Sequence, residues 1–403
     1  MNTGKILPIF LMSSVLVACG GGTGASLSGV TTGTNASTST STSTTTTGSG
    51  STTTDSTSTT TGSGASESTN GTTTDSTANS NTLSLTRNAV DAEYSDALER
   101  LITVSSSPDN ALNIINPTTG EQQAVPLNLA PTSLAISPDG KTAVVGHSSG
   151  VTHINLQTAS VLDFYDNIGF SVFDIALSGN GMAYATPASN ALWGVLKAIN
   201  LGTGEVKSSL SVVQMGGSYL QLAPNQNALY IYDKSTLPVD LIKTDTASPP
   251  AGLYDSPYNG EYDIGGSSGK GLWLTEDGGY ILTAGETLFS TATTQDQDML
   301  YQRSLSDDDN DPNTRLLHAD NSQEAAKFVV ILDKGITGTG SEYSLKTYAM
   351  PTLNLLDEKP VSDLKPTSTS DDPVIPQFVF FNSDGTKRYA VLKQGTGTYL
   401  INF

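Results

Sequence analysis

The sequence predicts an all-β fold, a seven-bladed β-propeller, for residues 83–403, and three observations support this prediction. Short runs rich in Val, Ile, Leu, Tyr and Phe alternate with clusters of Gly, Pro, Asn, Asp and Ser, which is typical of many short strands and few helices. Two short phrases recur at intervals of about 40–50 residues, the spacing of four-stranded propeller blades. The chain also ends one strand short of a complete last blade.

Residues 1–19 have the features of a lipoprotein signal peptide. Lys5 precedes an apolar stretch, 6–17, that is too short to span a bilayer, since spanning takes about twenty residues. The stretch ends in Leu16-Val-Ala-Cys19, which resembles a bacterial lipobox, and lipoproteins of this kind are cleaved before the Cys and then acylated, for example with palmitate. Because Cys19 is the only Cys in the chain, we predict that it is lipidated; an ordinary secretory signal that ends in Cys is the alternative.

The resemblance to lipoproteins also implies a location. Gly20, and not Asp, follows the Cys, which in bacteria with two membranes implies the outer membrane. Attachment there takes more than one acyl chain, because a single chain binds a membrane only reversibly. We therefore predict an outer-membrane lipoprotein that is periplasmic or surface-exposed.

Residues 20–82 form a low-complexity segment of Ser, Thr and Gly that is predicted to be a disordered tether. It holds too few apolar residues to bury a core. Linkers of this composition behave as flexible coils, with a mean reach of ~45 Å and an extended limit of ~200 Å for this length. A spacer that holds the folded domain clear of a membrane is the favoured interpretation, and a neutral segment that carries O-glycans is the alternative.

The first recurring phrase is an apolar strand, a turn close to Ser-Pro-Asp-Gly and a second apolar strand. The clearest example is Leu134-Ala-Ile-Ser-Pro-Asp-Gly140. Asp closes a local turn with its side chain, and Gly accepts the positive φ at which the chain reverses. A degenerate first copy at 92–97 reads either as a strand or as a helical turn. The other copies lie at 175–181, 220–225, 272–278 and 378–385.

The second phrase, Ile-Asn followed by a turn, ends a later strand of the same unit at 115–120, 154–158 and 199–204. Six units are visible, and the long gap before the last one leaves room for a further unit, with strands at 316–320, 327–332 and 342–350. The chain ends at 399–403 after the third strand of a blade. We predict that residues 83–87 supply the missing outer strand, because such a ring leaves no open sheet edge between its first and last blades.

These phrases resemble those of the YVTN or lactonase-like group of seven-bladed propellers. The resemblance rests on the Ser-Pro-Asp-Gly turn at 137–140 and on Asp109-Asn-Ala111 followed by Ile115-Asn-Pro-Thr-Thr-Gly120, and it extends over nearly all of 88–403 at the level of the repeat. It implies the propeller architecture. Some members of the group are calcium-dependent hydrolases that hold the metal with carboxylates and carbonyls at the ring axis.

Charge and cysteine content exclude several classes of function. The whole chain carries a net charge of −20, and its folded part contains 18 basic and 36 acidic residues. Such a surface argues against nucleic-acid binding, which depends on Lys and Arg that neutralise phosphates. A single Cys excludes an intrachain disulfide, a four-cysteine zinc site and an iron–sulfur cluster.

One acidic loop offers a candidate calcium site. Asp307, Asp309 and Asp311 alternate along the chain, and Asp320 is a further candidate ligand. Alternating carboxylates can surround Ca²⁺ with oxygen atoms. The loop departs from the EF-hand pattern at Pro312, where that pattern needs Gly, and a solvated acidic loop is the alternative.

The remaining candidate residues are predicted from their position in the ring. In a propeller the innermost strand of each blade begins near the axis, on the face where ligands usually bind, and polar side chains there can orient a polar ligand. A polar lining that only hydrates the channel is the alternative. The predicted channel-mouth residues are Asp91, Thr132, Asp174, Tyr219, Lys270, Arg315 and Gln377.

No catalytic constellation stands out. Gly265-Gly-Ser-Ser-Gly269 has the letters of a nucleophile elbow, but it leads into a strand and the elbow needs a helix. His147 and His153 are predicted to be structural, at the surface or half-buried, whereas His318, next to the acidic loop, is either a titrating group or a charge partner of that loop. The first hypothesis is a non-catalytic, lipid-anchored module that binds a protein or a glycan or acts as an envelope scaffold. The second is a calcium-dependent hydrolase of lactonase or phosphoesterase type with its site at the channel mouth.

Overall fold

The computed structural model describes residues 81–403 except 190–194, 212–214, 235–238, 259, 263, 266–270, 306–313, 336–340 and 368–369. The chain divides into two units, residues 1–73 and 74–403, and every described residue belongs to the second. The predicted signal peptide and nearly all of the predicted tether lie outside the described residues. Among the described residues, no helix has the length and apolar character that crossing a bilayer requires.

Twenty-eight strands in the described part of the chain form seven four-stranded antiparallel sheets, which are the seven blades of a β-propeller. The first three blades, from the innermost strand outwards, are β2 (Asp91–Ser95), β3 (Arg100–Ser105), β4 (Ala111–Ile115) and β5 (Gln122–Pro126); β6 (Pro131–Ile136), β7 (Thr142–His147), β8 (Gly150–Asn155) and β9 (Ser160–Tyr165); and β10 (Val172–Leu177), β11 (Met182–Pro187), β12 (Lys197–Asn200) and β13 (Val206–Ser208).

The four remaining blades follow the same order along the chain, and the predicted hidden unit is the sixth of the seven blades. They are β14 (Tyr219–Leu222), β15 (Ala228–Asp233), β16 (Asp240–Asp245) and β17 (Tyr254–Asp255); β18 (Leu272–Leu274), β19 (Tyr280–Thr283), β20 (Thr287–Ser290) and β21 (Leu300–Ser304); β22 (Arg315–Ser322), β23 (Lys327–Asp333), β24 (Tyr343–Ala349) and β25 (Leu355–Pro360); and β26 (Val374–Phe381), β27 (Arg388–Gln394), β28 (Gly397–Asn402) and β1 (Thr82–Leu85). Two short 3₁₀ turns, Gln295–Gln297 and Val361–Asp363, complete the described elements.

The ring closes through β1, which pairs antiparallel with β28 as the outer strand of the seventh blade. The observed strand runs from Thr82 to Leu85, whereas the sequence predicts 83–87. It ends earlier because the next two residues contact the first blade. The Thr86 N–H donates to Gln122 Oε1 at 3.0 Å, and Arg87 forms an ion pair with Asp109 at 2.9 Å.

The two recurring phrases have a common hydrogen-bond chemistry. In the second blade Ser137 Oγ donates to Asp139 Oδ1 at 2.8 Å, and Gly140 has a φ of 67°, which favours glycine. In the Ile-Asn phrase the Asn side chain accepts from the backbone N–H groups two and three residues later. Asn155 Oδ1, for example, lies 2.9 Å from the N atoms of Gln157 and Thr158. The repeats therefore specify tight turns between the strands.

The hydrophobic core lies between neighbouring blades. Seven clusters of buried side chains occupy the seven interfaces, and Leu101, Tyr184, Phe289, Phe328 and Val391 are fully or almost fully buried. The cluster between the seventh and the first blade includes Leu85 on β1, so the closing strand contributes packing as well as hydrogen bonds. Each blade buries both of its faces, and the strands nearest the axis surround a central channel.

Candidate functional site

The central channel is a cavity of about 710 Å³ among the described residues. The innermost strands of all seven blades line it. Five of the seven predicted channel-mouth residues are part of the lining, and they are Asp91, Thr132, Asp174, Tyr219 and Gln377. Lys270 and the predicted calcium-loop residues Asp307, Asp309 and Asp311 lie outside the described residues.

Arg315 is not among the residues that line the channel. It begins β22, an eight-residue strand, and lies opposite Asp333 in the strand register. Its guanidinium forms an ion pair with the Asp333 carboxylate at 2.6 Å, and the Asp333 side chain is only 2% exposed. The Arg315 guanidinium therefore neutralises the Asp333 carboxylate of the same blade.

Asp91 and Asp174 have the same geometry in blades one and three. One carboxylate oxygen accepts from the N–H of the next residue, at 2.9 Å in both cases. The other accepts from the inner strand of the following blade, where Leu134 N and Leu220 N each lie 2.8 Å away. Each carboxyl group therefore joins two blades at the axis.

Further inner-strand side chains that the sequence analysis did not single out make the same kind of bond. Glu93 Oε2 accepts from Ile136 N at 2.8 Å, and Gln221 Oε1 accepts from Leu274 N at 3.2 Å. Asp320, predicted as a calcium ligand, makes the same kind of bond, since its Oδ2 atom accepts the Phe381 N–H at 2.7 Å.

Between blades five and six the bonds run in both directions. Asn321 Oδ1 accepts from Glu276 N at 3.0 Å, and Glu276 Oε2 accepts from Gln323 N at 3.0 Å. The sequence does contain a pattern that corresponds to these bonds between blades. Acidic or amide residues occur inside otherwise apolar inner strands, as in Asp91-Ala-Glu93 and His318-Ala-Asp-Asn321.

Burial of these carboxyl groups makes them weaker acids than they are in water. Burial raises the pKa of Asp91 to about 6 and the pKa of Asp174 to about 7, although the backbone hydrogen bonds act in the opposite direction. The pKa of Glu93 rises to about 8, because of burial first and repulsion from Asp91 second. Burial also raises the pKa of Asp320 to about 7.

The described lining of the channel holds six acidic side chains and no Lys or Arg. Asp96 and Glu276 complete the acidic set, and burial raises the pKa of both. His318 is the one histidine of the lining. Burial lowers its pKa to about 3, and its Nδ1 atom accepts the Val379 N–H at 3.3 Å, so it is neutral at pH 7. The described lining therefore offers no basic side chain that could bind an anion.

The other two histidines lie in blade two. His147 is fully buried and lies within hydrogen-bonding distance of Ala130 O and Thr152 Oγ1. His153 is half-buried and lies opposite Asp163 in the strand register. Both positions are consistent with structural roles.

Within the described residues, the side chains that line the channel do not form a metal site. No group of three or more His, Cys, Asp or Glu side chains within the described ranges converges on a point where a cation could bind. Several of the carboxyl groups are already directed at N–H groups of the neighbouring blade. The polar lining is consequently well explained as the structure that holds the inner strands in register around the axis.

Aromatic side chains form part of the channel wall at blades three and four. The Phe173 and Tyr219 rings meet edge to face with 4.9 Å between their centroids, and Tyr219 stacks on Tyr232 at 6.0 Å. Lys234 Nζ lies 5.5 Å from the Tyr219 ring centroid. A cation next to an aromatic face is a favourable contact that helps to orient both side chains.

Tyr254 on β17, together with Tyr258 and Tyr262 in the loop that follows it, packs against the protein. The Tyr262 ring stacks on Tyr301 at 4.0 Å, and the Tyr258 hydroxyl accepts the Tyr301 N–H at 3.1 Å. The Tyr254 hydroxyl donates to Asp298 Oδ2 at 2.7 Å. These contacts fasten the loop to the fourth and fifth blades.

Asp298 is the centre of a buried polar network between blades four and five. It is fully buried and forms an ion pair with Lys243 at 2.6 Å. Besides the Tyr254 hydroxyl, the Tyr230 hydroxyl and the N–H groups of Ala292 and Met299 donate to the same carboxylate. With this many donors the charge is well compensated, and the network is structural.

Comparisons with known proteins identify the fold. No protein-family model and no curated protein sequence matches the chain. Among solved structures it is similar to Kuenenia stuttgartiensis hydrazine synthase, with a TM-score of 0.51 and 12% identity over 78% of this chain and 97% of that chain. It is also similar to the β-propeller domain of Cps50 (Swd1) from Myceliophteria thermophila, with a TM-score of 0.57 and 12% identity over 79% of this chain and 98% of that chain. At this identity the similarity shows the propeller fold alone.

Proposed function

We propose that the chain is a lipid-anchored envelope or cell-surface protein whose propeller binds a protein or glycan partner, or acts as a scaffold, without catalysing a reaction. The proposal rests on the hydrogen bonds that the channel side chains make to neighbouring blades. In the described part of the ring, Asp91, Glu93, Asp174 and Asp320 are directed at backbone N–H groups of the next blade. Side chains that join neighbouring blades in this way favour a rigid ring, and a rigid surface loses little conformational entropy when it binds a partner.

The anchor belongs to the same proposal. A lipobox with the only cysteine of the chain at position 19, followed by a Ser, Thr and Gly segment, supports attachment of a propeller to a membrane through a long spacer. The proposed location is the outer membrane, periplasmic or surface-exposed. Membership of the YVTN or lactonase-like group is part of the proposal and rests on the repeat phrases.

Metabolic labelling tests the anchor. Cells that express the full chain are grown with an alkyne-tagged palmitate analogue and then fractionated. We expect label on the chain and recovery in the outer-membrane fraction, and Cys19→Ser should abolish both. Thr23→Ala, a neutral change in the tether, is the control. Label that survives Cys19→Ser, or a chain without label in the soluble fraction, would refute the anchor.

A calcium titration tests the absence of catalysis against the calcium-dependent hydrolase suggested by the family resemblance. The melting temperature of the full chain in detergent is measured with added Ca²⁺ and with chelator. A binding module without a metal site shows no shift. A large rise with Ca²⁺ that Asp320→Asn removes would contradict the proposal and favour the hydrolase.

A further inference from the structure

The outer strand of the second blade, β9, is one of the two most exposed strands in the described part of the chain. Five of its six residues are exposed, and only Tyr165 is buried. The exposed fractions of three apolar side chains are large, at 47% for Val161, 50% for Leu162 and 39% for Phe164. These three are among eight large hydrophobic residues that are exposed in the described part of the chain, so the apolar exposure is concentrated on one strand.

The backbone of β9 also has a free edge. The strand is the last in its sheet, and no other strand of the described chain pairs with its outer side. Alternate N–H and C=O groups of an edge strand are directed outwards and can pair with another chain. Asp163 partly protects the edge, because its Oδ1 atom accepts the Phe164 N–H at 2.8 Å. A free edge flanked by apolar side chains is the arrangement used for binding an added strand.

The outer strand of the sixth blade, β25, is a useful comparison because it is similarly exposed. Leu355 and Leu356 are 43% and 53% exposed. The residues that follow are charged and paired, since Asp357 contacts Arg388 at 2.9 Å and Glu358 lies 3.7 Å from Lys346. Charged residues on an edge strand oppose pairing with a second chain. β9 carries Asp163 as its only charge, so it is the less protected of the two edges.

The chain holds β9 firmly in place. The Tyr165 hydroxyl donates to Leu201 O, and Asn167 Nδ2 donates to Gly204 O at 3.3 Å, so the end of the strand is fastened to blade three. The Phe164 ring lies 6.1 Å from the buried His147 ring. A strand that is already ordered loses little conformational entropy when a partner pairs with it.

Charge decides which partner fits. Asp163 and Asp166 are exposed at the patch, and the chain carries a net charge of −20, so two copies repel each other. An antiparallel pairing of two β9 strands would also bring the two Asp163 carboxylates close together, which is unfavourable. A partner strand that bears Lys or Arg next to apolar residues avoids both costs and neutralises Asp163.

We propose that β9 accepts a fifth strand from a partner protein, and that the partner contributes an extended segment in which apolar residues alternate with basic ones. The inference rests on the proposed function as a binding module and names the class of partner. Main-chain hydrogen bonds supply affinity in this mode, and the side chains that flank them supply specificity.

Fluorescence anisotropy tests the proposal with two labelled synthetic peptides of about eight residues, the length of a typical strand. Val alternates with Lys in one and with Glu in the other. The full chain in detergent should bind the Lys peptide saturably, and binding should weaken as salt is added. The double variant Val161→Lys with Leu162→Lys should raise the Kd about tenfold or more, equivalent to about 1.4 kcal/mol.

The control is the double variant Leu355→Lys with Leu356→Lys, which makes the same charge change at similarly exposed positions. We expect it to change the Kd less than about twofold, which is below about 0.4 kcal/mol. An equal effect of both variants would mean that net charge alone attracts the peptide. Equal affinity for the Glu peptide, or no saturable binding of the Lys peptide, would also overturn the proposal.

Sedimentation velocity of the same samples tests the remaining alternative, in which β9 pairs with a second copy of the chain. A concentration-dependent dimer that Val161→Lys with Leu162→Lys abolishes would overturn the proposal in favour of a second copy as the occupant. The milder variant Leu162→Ser keeps the test valid if the double variant does not fold. Palmitate labelling at Cys19 is independent of β9, so a failure here leaves the anchored-module proposal to be judged by its own experiment.

Discussion

Replacement of Glu93 by Gln is expected to make the propeller more stable at alkaline pH. The Glu93 carboxyl group is in the channel, its Oε2 atom accepts the Ile136 N–H, and its pKa rises from 4.5 to about 8. An acid with a raised pKa in the folded state binds its proton more tightly there than in the unfolded chain. The free energy of unfolding therefore falls as the pH rises from 4.5 towards 8.

The size of the effect follows from the shift. One pKa unit corresponds to about 1.4 kcal/mol, so the full shift of Glu93 corresponds to about 5 kcal/mol. Water in the channel and rearrangement of the side chain reduce this value, and we expect about 2 kcal/mol. The amide side chain of the Glu93→Gln variant keeps an oxygen that can accept from Ile136 N, and it carries no proton-linked charge.

Urea unfolding of the full chain, followed by circular dichroism at about pH 5 and about pH 9, measures the difference. Glu93→Gln should match the wild type at the lower pH and exceed its free energy of unfolding by about 2 kcal/mol at the higher pH. Glu121→Gln, at an exposed position, should leave the pH dependence unchanged. The reasoning is refuted if Glu93→Gln keeps the wild-type slope or is less stable at alkaline pH.

Three further predictions concern stability, and the same unfolding assay checks each. Asp298→Asn removes the carboxylate that pairs with the half-buried Lys243 ammonium and should cost about 3 kcal/mol; a loss below about 1 kcal/mol would show that the network is not needed. Gly140→Ala should cost more than Gly181→Ala, because a Cβ at 140 would lie 2.7 Å from Ala97 Cβ whereas no atom lies within 4 Å at 181, and equal losses would contradict this. Leu85→Asp places a charge in the core of the closing strand and should cost about 3 kcal/mol, with the exposed Ser84→Asp as the control; a tolerated Leu85→Asp would show that β1 adds little packing.

The architecture could be predicted because each blade repeats the same local chemistry. The Asp139 and Asn155 side chains accept from backbone N–H groups two or three residues away, so the same residue types recur wherever the turn recurs. The sixth blade was visible only as a gap with strand-like runs, yet its position was right, because a closed ring needs a sheet there.

The candidate site was less predictable, for a physical reason. The bonds from Glu93 to Ile136 and from Asp320 to Phe381 join residues 43 and 61 positions apart, and no local pattern records them. We expected residues near the start of an inner strand to line the channel, and Asp91 and Asp174 do so. The expectation did not hold at Arg315, because Arg315 precedes the β-bulge between Leu316 and His318 and lies opposite Asp333, with which it forms an ion pair. The residues of β22 that line the channel begin at Leu317.

The pairing of β1 with β28 has a consequence for limited proteolysis of the chain. A protease that cuts the chain before Thr82 leaves all seven sheets complete, so the released fragment keeps its ring and the β9 edge intact. A cut between Leu85 and Asp91 instead severs β1 from the rest of the ring, and loss of β1 would expose the edge of β28. The side of β1 on which the chain is cut therefore decides whether the last sheet keeps four strands or three.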